Sequence, residues 1–218
     1  MVGQRLVIRY NSGRYHEPRE EEFILMFLDL QDSTALAEIM GQRQFFAFIN
    51  AWLHDMADPI IYNKAEIYKY VGDEVIIIWT MKRGLKKQRC LRLFFDIKDQ
   101  IMAKQDEYLK QFGHLPVFKA GLHAGPVVVG EMGDIRSEIA YMGDTVNTAA
   151  RLKAKCSKYQ AEVLISAYLV GRLIDTHGFK FHELGNLKLK GKKQEIQVMK
   201  VIRSKDNEIM SPDMANQK

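Results

Sequence analysis

FILMFLDL, residues 23–30, and EIYKYVGDEVIIIW, residues 66–79, are the stretches whose reading decides the fold. The first is short, apolar and ended by Gln31, Asp32 and Ser33, which predicts a buried strand. It is far too short for a bilayer, which takes about 20 apolar residues to cross. The second consists of two runs rich in Ile, Val and Tyr around a VGDE turn, and predicts a β-hairpin with Gly72 at the bend. One aspartate interrupts each: Asp29 near the end of the strand and Asp73 at the hairpin tip. A carboxylate is costly to bury alone, so something must compensate both.

Working outward, Leu36, Ile39, Met40, Phe46, Ile49, Leu53 and Met56 recur at spacings near three and four. They predict a helix whose apolar stripe lies in the core, capped by Ser33 or Asp32. A second helix is expected over about 86–111, with Leu91, Phe94, Ile97, Ile101 and Tyr108 inward and Gly113 ending it. VFKAGLHAG (117–125), VVVGEMG (127–133) and SEIAYMG (137–143) predict three short strands separated by glycines, and DTVNTAARLKAKC (144–156) returns to helical spacing. Strands over 163–166, 179–185 and 195–201, with a short helix near 167–174, complete the set. This mixture implies an α/β (α+β) sandwich, a mostly antiparallel sheet flanked by helices. Residues 1–20 read as a tail or linker, 21–203 as one domain and 204–218 as a C-terminal tail.

A chain of 218 residues with 47% hydrophobic residues suffices for one well-buried core. Its two cysteines, Cys90 and Cys156, lack CxxC spacing, which argues against a disulfide framework or zinc knuckle and for a reducing, cytoplasmic setting. The net charge of +5 gathers at MKRGLKKQR (81–89) and LKLKGKK (187–193). The first cluster reads as a solvated face and the second suits an anionic small substrate. No recognition motif accompanies the charge, so nucleic acid is not an expected partner, and no GxxxxGK[ST] marks a P-loop. No span or signal peptide is legible, so membrane contact by this chain is not expected.

Asp29 and Asp73 on adjacent strands suit a pair of hard-cation ligands, because Mg²⁺ needs only one or two carboxylates when substrate phosphates and water supply the other oxygens. Each also has a plainer reading, Asp29 as a helix cap and Asp73 as a turn residue.

FLDLQDST, KYVGDEVI, GLHAGPVVVGEMG and MGDTVNTAARL, in that order, resemble the signature set of the class III adenylate and guanylate cyclases over about residues 22–202. The resemblance implies a ferredoxin-like βαββαβ core and two active sites at the interface of a homodimer. It implies two divalent cations, Mg²⁺ or Mn²⁺, held by Asp29, Asp73 and the backbone carbonyl of Leu30. Lys69 would recognise the adenine of ATP, Asn147 would position the ribose, and Arg151 would stabilise the triphosphate. Lys190, or less closely Lys192, falls near a phosphate-binding lysine. Asn147 and Arg151 are four apart on an expected helix, so both can project from one face. His123 sits where the family simply has a histidine and is not needed as a base.

Ala140 departs from the family, which places Asp, Thr or Cys there. A methyl group cannot hydrogen-bond the purine, so one base contact is missing. Lys69 still favours ATP, since lysine only donates and adenine N1 accepts. The resemblance therefore implies an adenylate cyclase with weakened discrimination. The alternatives are a guanylate or dual-specificity enzyme, or a regulatory domain that binds nucleotide without turnover. A longer natural protein would carry an N-terminal sensor or membrane region.

Overall fold

The computed structural model describes residues 15–133, 137–188 and 195–209. Strand β1 (Arg19–Leu30) leads into three helical segments, α1 (Ser33–Met40), α2 (Gln42–Asp55) and α3 (Ala57–Tyr62). The hairpin β2 (Glu66–Val71) and β3 (Glu74–Thr80) follows, then α4 (Met81–Leu85), a 3₁₀ turn at Lys86–Gln88, α5 (Arg89–Ala103) and α6 (Gln105–Phe112). Next come β4 (Phe118–Met132), β5 (Glu138–Met142), α7 (Asp144–Lys155), β6 (Val163–Ser166) and α8 (Ala167–Val170). Strands β7 (Phe179–Lys188) and β8 (Glu195–Arg203) and helix α9 (Ser204–Ile209) complete the order.

The sheet runs β2-β3-β1-β4-β6-β8-β7, with β5 paired to β4. Its first four strands with their helices are the expected βαββαβ core. Every pairing is antiparallel except β4 with β6.

The two faces of β1 divide the core. Ile24, Met26, Leu28 and Leu30 pack with Phe48, Trp52, Leu91, Phe94 and Ile97 from α2 and α5. Phe23, Leu25 and Phe27 pack on the other face with Val127, Val129, Tyr141 and Ala149, the last from α7. Alternation along one strand thus feeds two layers, which is why its apolar run is unbroken until Asp29.

Three expectations change. The stripe from Leu36 to Met56 does not lie in one helix, because Gly41 at φ 77° ends α1 and starts α2 in a new phase. Ile39 and Phe46 are consequently 70% and 74% exposed, whereas Met56 is fully buried. The helix expected over 86–111 breaks at Lys104, yet its inward residues Leu91, Phe94, Ile97, Ile101 and Tyr108 are all buried, and Gly113 at φ 70° stops α6. Finally, the two strands expected over 117–125 and 127–133 are one, Phe118–Met132, running through Pro126. Pro126 lies between the stretch that pairs with β6 and the stretch that pairs with β5, where a missing N–H costs least.

Candidate active site

The hairpin behaves as its sequence requires. Gly72 takes φ 63° at the bend, and Val71 faces Glu74 across the turn. Asp73 is half-buried in that turn. Register then sets a row across one end of the sheet, with Glu74 opposite Asp29 on β1 and Asp29 opposite Lys119 on β4. Asp73, next to Glu74 in the chain, is brought to the same end.

Lys153 of α7 closes over this row. Its Nζ lies 2.6 Å from Glu74 Oε2 and 3.2 Å from Asp29 Oδ2, while Lys119 Nζ is 3.7 Å from the same Oδ2. Burial works against the Lys153 ammonium, but the hydrogen bond to Glu74 and the charges of Glu74 and Asp29 outweigh it, so its pKa stands above the ordinary lysine value.

Glycine allows this approach. A Cβ on Gly121 would meet Lys153 N at 2.2 Å and Ala149 O at 2.4 Å, so α7 can rest on β4 only because no side chain intervenes. Gly125 gives room in the same way to Thr145, whose hydroxyl donates to Pro126 O at 2.7 Å. The glycines of GLHAG are therefore the seat of α7.

The remaining expected residues fall in different places. Leu30 is buried with its side chain in the α2/α5 core, which leaves only its backbone carbonyl for a ligand. Asn147 is exposed and Arg151 half-buried on α7, and among the described residues neither side chain makes a hydrogen bond or ion pair. Lys69, beyond a bulge between Ile67 and Lys69, donates to Glu138 of β5 at 3.1 Å. Ala140 is buried two residues further along β5. Lys190 and Lys192 lie outside the described residues. His123 Nδ1 is 2.7 Å from the Ser166 hydroxyl, which also caps α8 by accepting from Leu169 N, a structural use of that histidine.

The structure thus brings Asp29 and the Asp73 turn together and puts Lys69 beside Glu138, but joins Asn147 and Arg151 to neither group. Among the described residues no three His, Cys, Asp or Glu side chains form a group that could hold a metal ion. The donor set, two half-buried carboxylates and a backbone carbonyl, fits a hard cation that takes its other oxygens from phosphate and water.

Residues 15–201 match the family described as "Adenylate and Guanylate cyclase catalytic domain". The chain belongs to this family. Adenylate cyclase 2 of Rhizobium meliloti (strain 1021) is 36% identical over 199 residues, an alignment covering 91% of this chain and 55% of that protein. The chain therefore spans about half the length of that relative. A bacterial light-regulated adenylyl cyclase structure superposes with TM-score 0.78 at 23% identity, over 91% of this chain and 57% of that one. The guanylyl cyclase Cya2 superposes with TM-score 0.71 at 18% identity, over 84% of this chain and 92% of that one. Both likenesses establish the fold, which adenylate and guanylate enzymes share. No helix among the described residues is long and apolar enough to cross a membrane.

Neither Glu74 nor Lys153 stood out in the sequence, because each reads as an ordinary surface charge. The usable signal was the glycine at 121, a position in a strand where another backbone comes close.

Proposed function

We propose that the chain is the catalytic domain of an adenylate cyclase, closing ATP into 3′,5′-cyclic AMP and pyrophosphate in active sites shared between two copies. One observation carries this reading: Asp29 and the Asp73 turn gather at one end of the sheet, while Asn147 and Arg151 make no side-chain contact with either of them. A second copy supplies what one chain leaves apart. The exposed Val128, Met132 and Met142 on the β4–β5 ribbon support such an apolar contact.

In this reading Asp29, Asp73 and the Leu30 carbonyl hold two divalent cations, Mg²⁺ or Mn²⁺, which when bound supply Lewis acidity toward the 3′-hydroxyl and the phosphates. The partner's copy of α7 contributes Asn147 to the ribose, and Arg151, planar and permanently charged, to phosphate oxygens. Lys69 donates to adenine N1, and Lys190 is a further phosphate contact. Holding both ends of one nucleotide favours in-line attack. The bond from O3′ to the α-phosphorus forms, that to the pyrophosphate oxygen breaks, and the hydroxyl proton leaves to water. The reaction belongs in the cytoplasm, where ATP is present and the buried thiols of Cys90 and Cys156 stay free.

A dual-specificity reading also has support. Ala140 cannot hydrogen-bond a purine, and Lys69 is already engaged by Glu138. Cyclic AMP and cyclic GMP formation assayed side by side with Mn²⁺ decides between the two. Sharing is tested by mixing Asp73→Ala with Arg151→Ala, each nearly inactive alone. After subunit exchange half the dimers are mixed and each holds one intact site, so about a quarter of wild-type activity returns. A mixture as inactive as its components, with exchange verified by differential tags, overturns the shared site.

A further inference from the structure

Lys153 lies two residues beyond Arg151, but α7 turns it toward the chain's own sheet. All four side chains of the cluster, Asp29, Glu74, Lys119 and Lys153, are only 17–18% exposed, so their charges are less screened than at an open surface. Because Asp29 and Glu74 face each other in register, one ammonium reaches both, and its three N–H groups can serve both at once. The contacts are unequal, with Lys153 Nζ 2.6 Å from Glu74 and 3.2 Å from Asp29. The ammonium is anchored on Glu74 and leans on Asp29.

Resting on the reading of Asp29 as a metal ligand, we propose that Lys153 is a resident counter-cation that competes with the divalent ion for Asp29. Glu74 keeps the ammonium when Asp29 gives it up. A divalent ion on Asp29 repels an ammonium this close, so filling the site requires Lys153 to withdraw. Withdrawal leaves Lys153 its shorter ion pair, to Glu74. Lys153 and Glu74 are therefore positioning residues that set how much metal the site needs. Gly121 keeps the competition in place, since α7 could not bring Lys153 down to the sheet over any larger residue.

The test is Mn²⁺ binding to the full chain without nucleotide, read from the electron paramagnetic resonance signal of the free ion. Lys153→Met is expected to bind Mn²⁺ about fivefold to tenfold more tightly than wild type, a coupling of ordinary size for charges in contact. Lys153→Arg keeps the charge and should stay near wild type. Glu74→Gln should bind a few-fold more weakly, because the ammonium then rests on Asp29 alone. In the Lys153→Met background the same change should have much less effect. Asp29→Ala should lose the site.

If Asp29→Ala loses the site while Lys153→Met binds like wild type or more weakly, the competition is wrong and the metal reading stands. If Asp29→Ala binds Mn²⁺ as wild type does, the metal reading itself falls. Absence of Asp29-dependent binding from both wild type and Lys153→Met overturns both. A purely structural Lys153 would lower the melting temperature on substitution and leave the Mn²⁺ affinity unmoved.

Discussion

Asp29 and Asp55 are both carboxylates held by lysine on the same domain, and they are satisfied in opposite ways. Asp55, at the end of α2, is 8% exposed and has a separate donor for each oxygen: Lys104 Nζ at 2.6 Å from Oδ1 and the Tyr108 hydroxyl at 2.8 Å from Oδ2. Asp29 instead has one oxygen approached by two lysines, one of them more tightly bound to Glu74. Burial alone would raise the Asp55 pKa, but hydrogen bonds from Lys104 and Tyr108 outweigh it and bring it below the usual carboxylate range. A carboxylate with matched donors ties helices together. One whose cation is shared can release it, which is what a ligand site needs.

The sharpest way to break the contrast is at Asp73, the second aspartate of the proposed metal site. Asp73→Ala should leave the circular dichroism spectrum unchanged yet lower turnover about a thousandfold or more, because it removes charge stabilisation used in the transition state. Near-normal rates with Mg²⁺ would remove Asp73 from the site.

Gly121→Ala blurs the contrast by lifting α7. The added Cβ meets backbone atoms of Lys153 and Ala149, which cannot rotate away. A cost of about 2–3 kcal/mol is expected, lowering the melting temperature by roughly 4–12 °C. Activity should fall further than stability explains, since Arg151 and Lys153 ride on the same helix. An unchanged melting temperature would show that α7 is not seated where Gly121 puts it.

The smallest effect is expected at the structural carboxylate. Asp55→Asn should destabilise the fold by about 1–3 kcal/mol while kcat of the folded protein stays within about twofold of wild type. The sign with pH follows from the lowered pKa. A carboxyl more acidic in the folded than in the unfolded chain stabilises above its unfolded value, near about 3.9, and that stability is lost as pH falls through the folded value. Wild type should therefore lose its advantage over Asp55→Asn below about pH 4, measured by urea denaturation at several pH values. An advantage that instead grew toward acid would contradict the pairing.

Much of this was legible in the chain. Asp29 is conspicuous because it interrupts seven residues that alternate between two buried layers, and Asp73 because a glycine turn separates two strong strands. Period and propensity act over a few residues, so strands, the hairpin and most inward helix positions follow from the sequence alone. The stripe from Leu36 to Met56 misled for the same local reason. One positive φ at Gly41 resets the helical phase, and a count of spacings cannot see it. Four motifs in order were enough to indicate the family.

Tertiary structure alone decided which charges meet. Lys153 is far from Asp29 and Glu74 in sequence, and Lys69 is 69 residues from Glu138. The first contact exists because register sets Asp29 opposite Glu74 and α7 is seated on Gly121, and the second because β5, paired to β4, comes across to β2, with which it does not pair. Whether a surface lysine is a solvated charge or a competitor for a ligand carboxylate depends on a distance of a few ångströms. Such distances are set by packing between elements, which residue type and local spacing do not encode.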